Sequence, residues 1–218
     1  MSTAPKAKTV GFISAAAFAA LAMIIGSGGL SDLDRALITS LRTPTVLSDP
    51  VGPAWLEEAA RDVTALGGTP ILALLTLAVA LQLWINGHAR RALFALVAIG
   101  GAQILSETLK VFFARPRPDI VPHEVAVYSA SFPSGHAMLA TAAYFLLAFV
   151  LAAEISRTRN RTGLYASAAV LAFLIGASRV YLGVHWPSDV LAGWFAGLAW
   201  AVGAASLYRR FFPESRRD

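Results

Sequence analysis

Two histidines, three cations, a serine beside a glycine and one carboxylate fall into three short segments of this 218-residue chain. The first holds Lys110 with Arg117-Pro118, the second is Pro133-Ser134-Gly135-His136, and the third holds Ser178-Arg179 with His185 and Asp189. A carboxylate on one imidazole nitrogen fixes the tautomer and leaves the other nitrogen free to attack, which is the relation expected of His185 and Asp189. Arginine can grip phosphate oxygens as a planar fork, while lysine acts as a point charge. Ser134-Gly135 reads as the start of a helix, where unpaired N–H groups and a partial positive charge favour an anion, and where glycine lets the backbone come close. The inventory suits in-line attack on a phosphoryl group with no metal.

Each segment also has a plain structural reading. Long cations at the ends of apolar runs snorkel, a serine can simply cap a helix, and a histidine can rest beside a helix-start aspartate. Arg115 is a candidate third phosphate ligand, with a surface position favoured. Glu107, one turn before Lys110, is expected to pair with a cation. His123 and Glu124 are expected in a solvated loop.

Composition places these residues in a membrane. The chain is 56% hydrophobic and only 14% charged, against about a quarter charged in a soluble domain. It has no cysteine, which excludes disulfides, thiolate metal sites and a cysteine nucleophile. Six apolar runs approach the roughly 20 residues needed to cross a bilayer. They are expected at 10–30, 70–85, 92–113, 136–153, 164–182 and 187–208. The fold class is therefore all-α, a polytopic six-helix bundle in one domain over 1–218.

Basic residues cluster before the first run, between the second and third, between the fourth and fifth, and after the sixth. These alternate connections share one face, which the positive-inside rule makes cytoplasmic. Both termini then lie inside, and the three polar segments meet at the outer face. The connection 31–68 is net acidic and is expected outside, as one or two amphipathic stretches along the surface. The first run is long for a cleaved leader and no A-x-A site follows it, so it is expected to stay. The net charge of +5 sits mostly in short loops and forms no nucleic-acid stripe, so no nucleic-acid partner is expected. Trp84, Trp186, Trp200 and Tyr208 are expected as interface anchors, and Gly193 and Gly197 as a close helix contact.

Taken together, the three segments resemble the type 2 phosphatidic acid phosphatase (PAP2) superfamily, in its membrane-embedded branch. The family patterns K-x6-R-P, P-S-G-H and S-R-x5-H-x3-D are matched at Lys110 to Pro118, Pro133 to His136, and Ser178 to Asp189. The resemblance implies a PAP2/haloperoxidase-like core. It implies His185 as nucleophile through a phosphohistidine, Asp189 orienting it, and His136 as general acid. Lys110, Arg117, Ser134, Gly135 and Arg179 would hold the phosphate, with no metal and no cofactor. The implied partner is a membrane lipid phosphate within the bilayer, with no obligate protein partner. Undecaprenyl diphosphate or phosphatidylglycerol phosphate is favoured, with 31–68 and 119–132 setting headgroup choice. A phosphotransferase sharing the first step, and a non-catalytic lipid-phosphate binder or transporter, are the alternatives. The vanadium haloperoxidases share the signatures but are soluble.

Overall fold

The computed structural model describes residues 4–120, 129–153, 155 and 157–212. His123 and Glu124 of the expected headgroup loop lie outside these. Six long helices alternate in direction: α1 (Ala4–Gly26), α4 (Thr69–Ile85), α5 (Ala89–Phe113), α6 (Gly135–Ala152), α7 (Thr158–Tyr181) and α8 (Pro187–Phe211). Between the first two of these lie α2 (Ser31–Ser40), a hairpin of β1 (Arg42–Thr43) and β2 (Val46–Pro50), and α3 (Ala54–Ala65).

Five of the helices are long and apolar enough to cross a membrane; α4, with 17 residues, becomes a sixth when joined to α3 across a 50° bend. The chain is thus a multi-pass membrane bundle, as expected, with shifted edges. α7 starts six residues earlier than its apolar run, because Thr158 to Gly163 supply a polar but helix-competent first turn and a half.

Helix α6 is the axis. In its most apolar window 72% of residues are buried, against 11% in α1. Ala137, Ala140, Ala142 and Ala143 are all buried, so neighbours approach closely. The expected glycine contact is made within the bundle. A methyl at Gly193 would lie 2.8 Å from the Ser134 carbonyl oxygen, and one at Gly197 would lie 2.4 Å from that of Met138. Only glycine lets the start of α8 lie against the start of α6, which brings the second and third motif segments together.

The connection 31–68 does more than lie on the surface. Helix α2 buries Asp34 and Ile38, one turn apart, and α3 buries Ala60 and Thr64 on the same spacing. The anchors divide. Trp84 is exposed as expected, whereas Trp186 is buried under the third segment and Tyr208 is buried among Phe94, Phe149 and Phe212. Each of those two rings has a packed partner and serves the interior.

Candidate active site

All three segments meet at one end of the bundle. Helix α5 carries Lys110 in its last turn and stops at Ala114, whose φ of 46° is left-handed, with its N–H on the Lys110 carbonyl. That reversal, followed by Pro116 and Pro118, folds Arg115 and Arg117 back over the helix end. Ser134 sits at the N-cap of α6 and makes no capping bond with its side chain. Pro187 opens α8, and Asp189 follows in its first turn, accepting the Trp186 N–H at 3.1 Å.

His185 is 2% exposed, in the short link between α7 and α8. Its Nε2 lies 3.2 Å from Nη1 of Arg117, which donates, so Nε2 is the lone-pair nitrogen and Nδ1 carries the hydrogen. Nδ1 lies 3.6 Å from Asp189 Oδ2, longer than the direct bond that the spacing predicts. The reason is Ser131, whose hydroxyl donates to Asp189 Oδ2 and sits 3.4 Å from Nδ1. Burial is the main cause that pushes the imidazole down to about 4, and Asp189 opposes it. The ring is therefore neutral at neutral pH, as a nitrogen nucleophile must be.

The cations surround this ring. Arg117 is anchored along its edge: Nε donates to the Ser129 carbonyl at 2.8 Å and Nη1 to that of Val184 at 2.9 Å. Its fork is thus partly used by backbone, and Nη1 is what it presents to His185. Burial lowers its pKa, partly offset by Asp189. Lys110 pairs with Glu107 at 3.0 Å, the cation expected for that carboxylate. A methyl at Gly135 would lie 2.9 Å from the Lys110 ammonium, so glycine leaves room for the cation beside the start of α6. Arg179 is 4% exposed and bonds Thr64 through Nη1 at 3.1 Å. His136 lies within electrostatic reach of Arg179, His185, Lys110 and Arg117.

Three buried polar atoms at this end have no protein partner among the described residues: Ser134 Oγ, Arg179 Nε and Ser106 Oγ. A fourth, Arg42 Nε, belongs to the hairpin. Buried polar groups are nearly always paired. Unpaired donors beside a neutral histidine and three cations mark the place of an anion.

Arg115 corrects the surface reading. It is largely buried and pairs with Asp189 through Nη1 and with Asp34 through Nη2 at 2.8 Å. Asp34 also accepts the Ser188 N–H at 2.9 Å and the Ser188 hydroxyl. Asp34, Ser131 and Ser106 are residues at this end that sequence reasoning missed. Only Asp34 carried a signal, its spacing from Ile38 on the apolar face of α2.

Residues 91–213 match the PAP2 superfamily model, so the chain belongs to that superfamily. A phosphatidylglycerophosphatase B of Bacillus subtilis is 36% identical over 147 residues, covering 66% of this chain and 71% of that one. A putative undecaprenyl-diphosphatase of Escherichia coli is 31% identical over 138 residues, covering 61% and 65%. Among solved structures, a transmembrane PAP2 type phosphatidylglycerolphosphate phosphatase from Bacillus subtilis superposes with a TM-score of 0.85 at 29% identity, covering 94% of this chain and 98% of that one. The protein is a membrane enzyme of the lipid-phosphatase class.

Proposed function

We propose that this protein removes phosphate from a membrane lipid phosphate or diphosphate through a phosphohistidine on His185, without a divalent metal. The observation that carries the reading is the set of unpartnered donors, Ser134 Oγ and Arg179 Nε, gathered at the end of the bundle where His185 presents a lone pair. Nε2 attacks phosphorus in line, and the bond from phosphorus to the lipid-side oxygen breaks. His136 gives its proton to the departing oxygen. Lys110, Arg117, Arg179, Ser134 and the Gly135 N–H hold the oxygens on which charge develops. Water, deprotonated by His136, then displaces Nε2, releasing phosphate and restoring both rings. Asp189, with Ser131, keeps the Nδ1 hydrogen in place throughout.

Two features support a lipid. The site lies at the ends of the spanning helices, at headgroup depth. An apolar groove of about 870 Å³ runs along α5 from Leu109, beside Lys110, to Arg90, and can accept hydrocarbon. Relatives named for phosphatidylglycerol phosphate, undecaprenyl diphosphate and lipid A 1-phosphate support an anionic lipid headgroup, and the first two are favoured. We take the catalytic end to face outward. Lys6, Lys8, Arg90, Arg91, Arg159, Arg161, Arg209 and Arg210 all sit at the opposite end, which the positive-inside rule puts in the cytoplasm.

The test is phosphate release by the detergent-purified protein from a panel of these lipids, in EDTA, beside His185→Ala. Undiminished release in EDTA and none from the alanine variant is the expected result. Collapse in EDTA sinks the metal-free route, and full activity without His185 sinks the nucleophile.

A further inference from the structure

A second cavity, of about 860 Å³, opens at the end of the bundle remote from His185, among α1, α6, α7 and α8 and the start of α5. Its walls have two characters. Phe145, Phe149, Val150 and Leu198 make an apolar floor, and Arg91, Arg161 and Arg209 stand over it with the hydroxyls of Thr158 and Tyr165. No aspartate or glutamate lines it among the described residues. Arg209 is held with its guanidinium 5.0 Å above the Phe149 ring. Arg161 is tied by Nε to the Ile155 carbonyl at 2.6 Å. Both lie within electrostatic reach of the Tyr165 hydroxyl, so the two cations converge on one spot. Thr158, the first residue of α7, lines the same cavity, and the positive end of that helix adds to the field.

Topology alone accounts for basic residues in loops at this end, but not for arginines set into three different helices around one cavity. A small soluble anion would have no use for the aromatic floor. A neutral lipid would have no use for the arginines. We infer that this cavity binds one anionic phospholipid from the leaflet at that end, its phosphate among Arg91, Arg161 and Arg209 and an acyl chain on Phe149 and Leu198. The lipid fills the space among α1, α6, α7 and α8 at that end. It takes no part in the chemistry.

Phosphatidylserine, which is neither a favoured substrate nor its product, is the probe. Delipidated protein is titrated with it, with phosphatidylcholine, and with free phosphoserine, and thermal unfolding is followed in wild type, His185→Ala and the pair Arg161→Gln/Arg209→Gln. Phosphatidylserine should raise Tm by about 5 °C in wild type and in His185→Ala. It should do nothing for the glutamine pair, which keeps wild-type hydrolysis of a water-soluble phosphate ester. An equal rise with phosphatidylcholine, an equal rise with phosphoserine, or a rise that survives in the glutamine pair each overturns the site. Native mass spectrometry of wild type keeps the proposal testable if the glutamine pair does not fold. Retention of one phosphatidylserine per chain under conditions that strip phosphatidylcholine supports it, and equal loss of both lipids ends it.

Discussion

Arg115 holds Asp189 by one terminal nitrogen while the other holds Asp34, so a single guanidinium joins the carboxylate behind His185 to the helix that follows the first span. Both carboxylates are buried. A buried carboxylate needs a partner, and Arg115 pairs with both. A segment outside the family's three signatures thereby takes part in holding Asp189, next to His185.

Removing that cation should leave two buried carboxylates facing each other. Arg115→Gln is expected to lower stability by about 3–5 kcal/mol, the usual cost of breaking a buried pair from one side. Arg115→Lys should recover part of it as a point charge. Thermal unfolding of the two variants checks this, and a glutamine variant as stable as wild type would refute the pairing. Asp34→Asn should lower kcat with little change in KM, because the Asp34 carboxylate bonds Ser188 and Arg115 among the described residues.

Ser131 stands between His185 Nδ1 and Asp189 Oδ2. A hydrogen bond to a charged group contributes about 1.5–3 kcal/mol, so Ser131→Ala should slow kcat roughly 10- to 100-fold. KM should hold, since the hydroxyl faces away from the phosphate. Steady-state kinetics on one lipid decides it; an unchanged kcat would mean that Asp189 steadies the ring unaided.

What the chain discloses in advance follows from distance along it. Apolar length shows the spans, and the four-residue spacing of His185 and Asp189 keeps His185 close to the first turn of the last helix whatever the rest does. Pro187 fixes where that turn begins. The pairings of Arg115, Ser131 and Asp34 were illegible because their partners lie far away in sequence and are brought near only by the left-handed stop at Ala114 and by α2 docking on α8. Span edges shifted for a different reason: hydropathy marks the lipid-facing stretch, while helices continue into polar turns such as Thr158 to Gly163.

Ser134 separates stability from function. Its hydroxyl is buried and unpaired, so Ser134→Ala relieves an unsatisfied group and should leave Tm unchanged or slightly higher. Yet kcat/KM should drop about 10- to 100-fold if the hydroxyl awaits a phosphate oxygen. Unfolding and kinetics measured on the same preparation test both halves. A variant that loses stability and keeps its activity would make Ser134 structural.

The pH profile bears on His185 directly. Its ring faces Arg117 beyond α5, Ser131 in the loop before α6, His136 at the start of α6, Arg179 on α7 and Asp189 on α8. Burial first, then the two arginines, push it down to about 4, against the pull of Asp189. The attacking form is the neutral ring. Once the substrate's own second ionisation near pH ~6 is factored out, kcat/KM should stay level to about pH 5 and fall tenfold per unit below about 4. The same shift bears on folding with a definite sign. An unfolded histidine takes its proton near pH ~6.5 and the buried one does not, so the unfolded state binds more protons between 6.5 and about 4. Stability contributed by this group is therefore whole above 6.5 and declines as pH falls through that window. An acid limb near 6.5 in the corrected profile would show His185 titrating as an exposed ring, and the buried nucleophile would have to be given up.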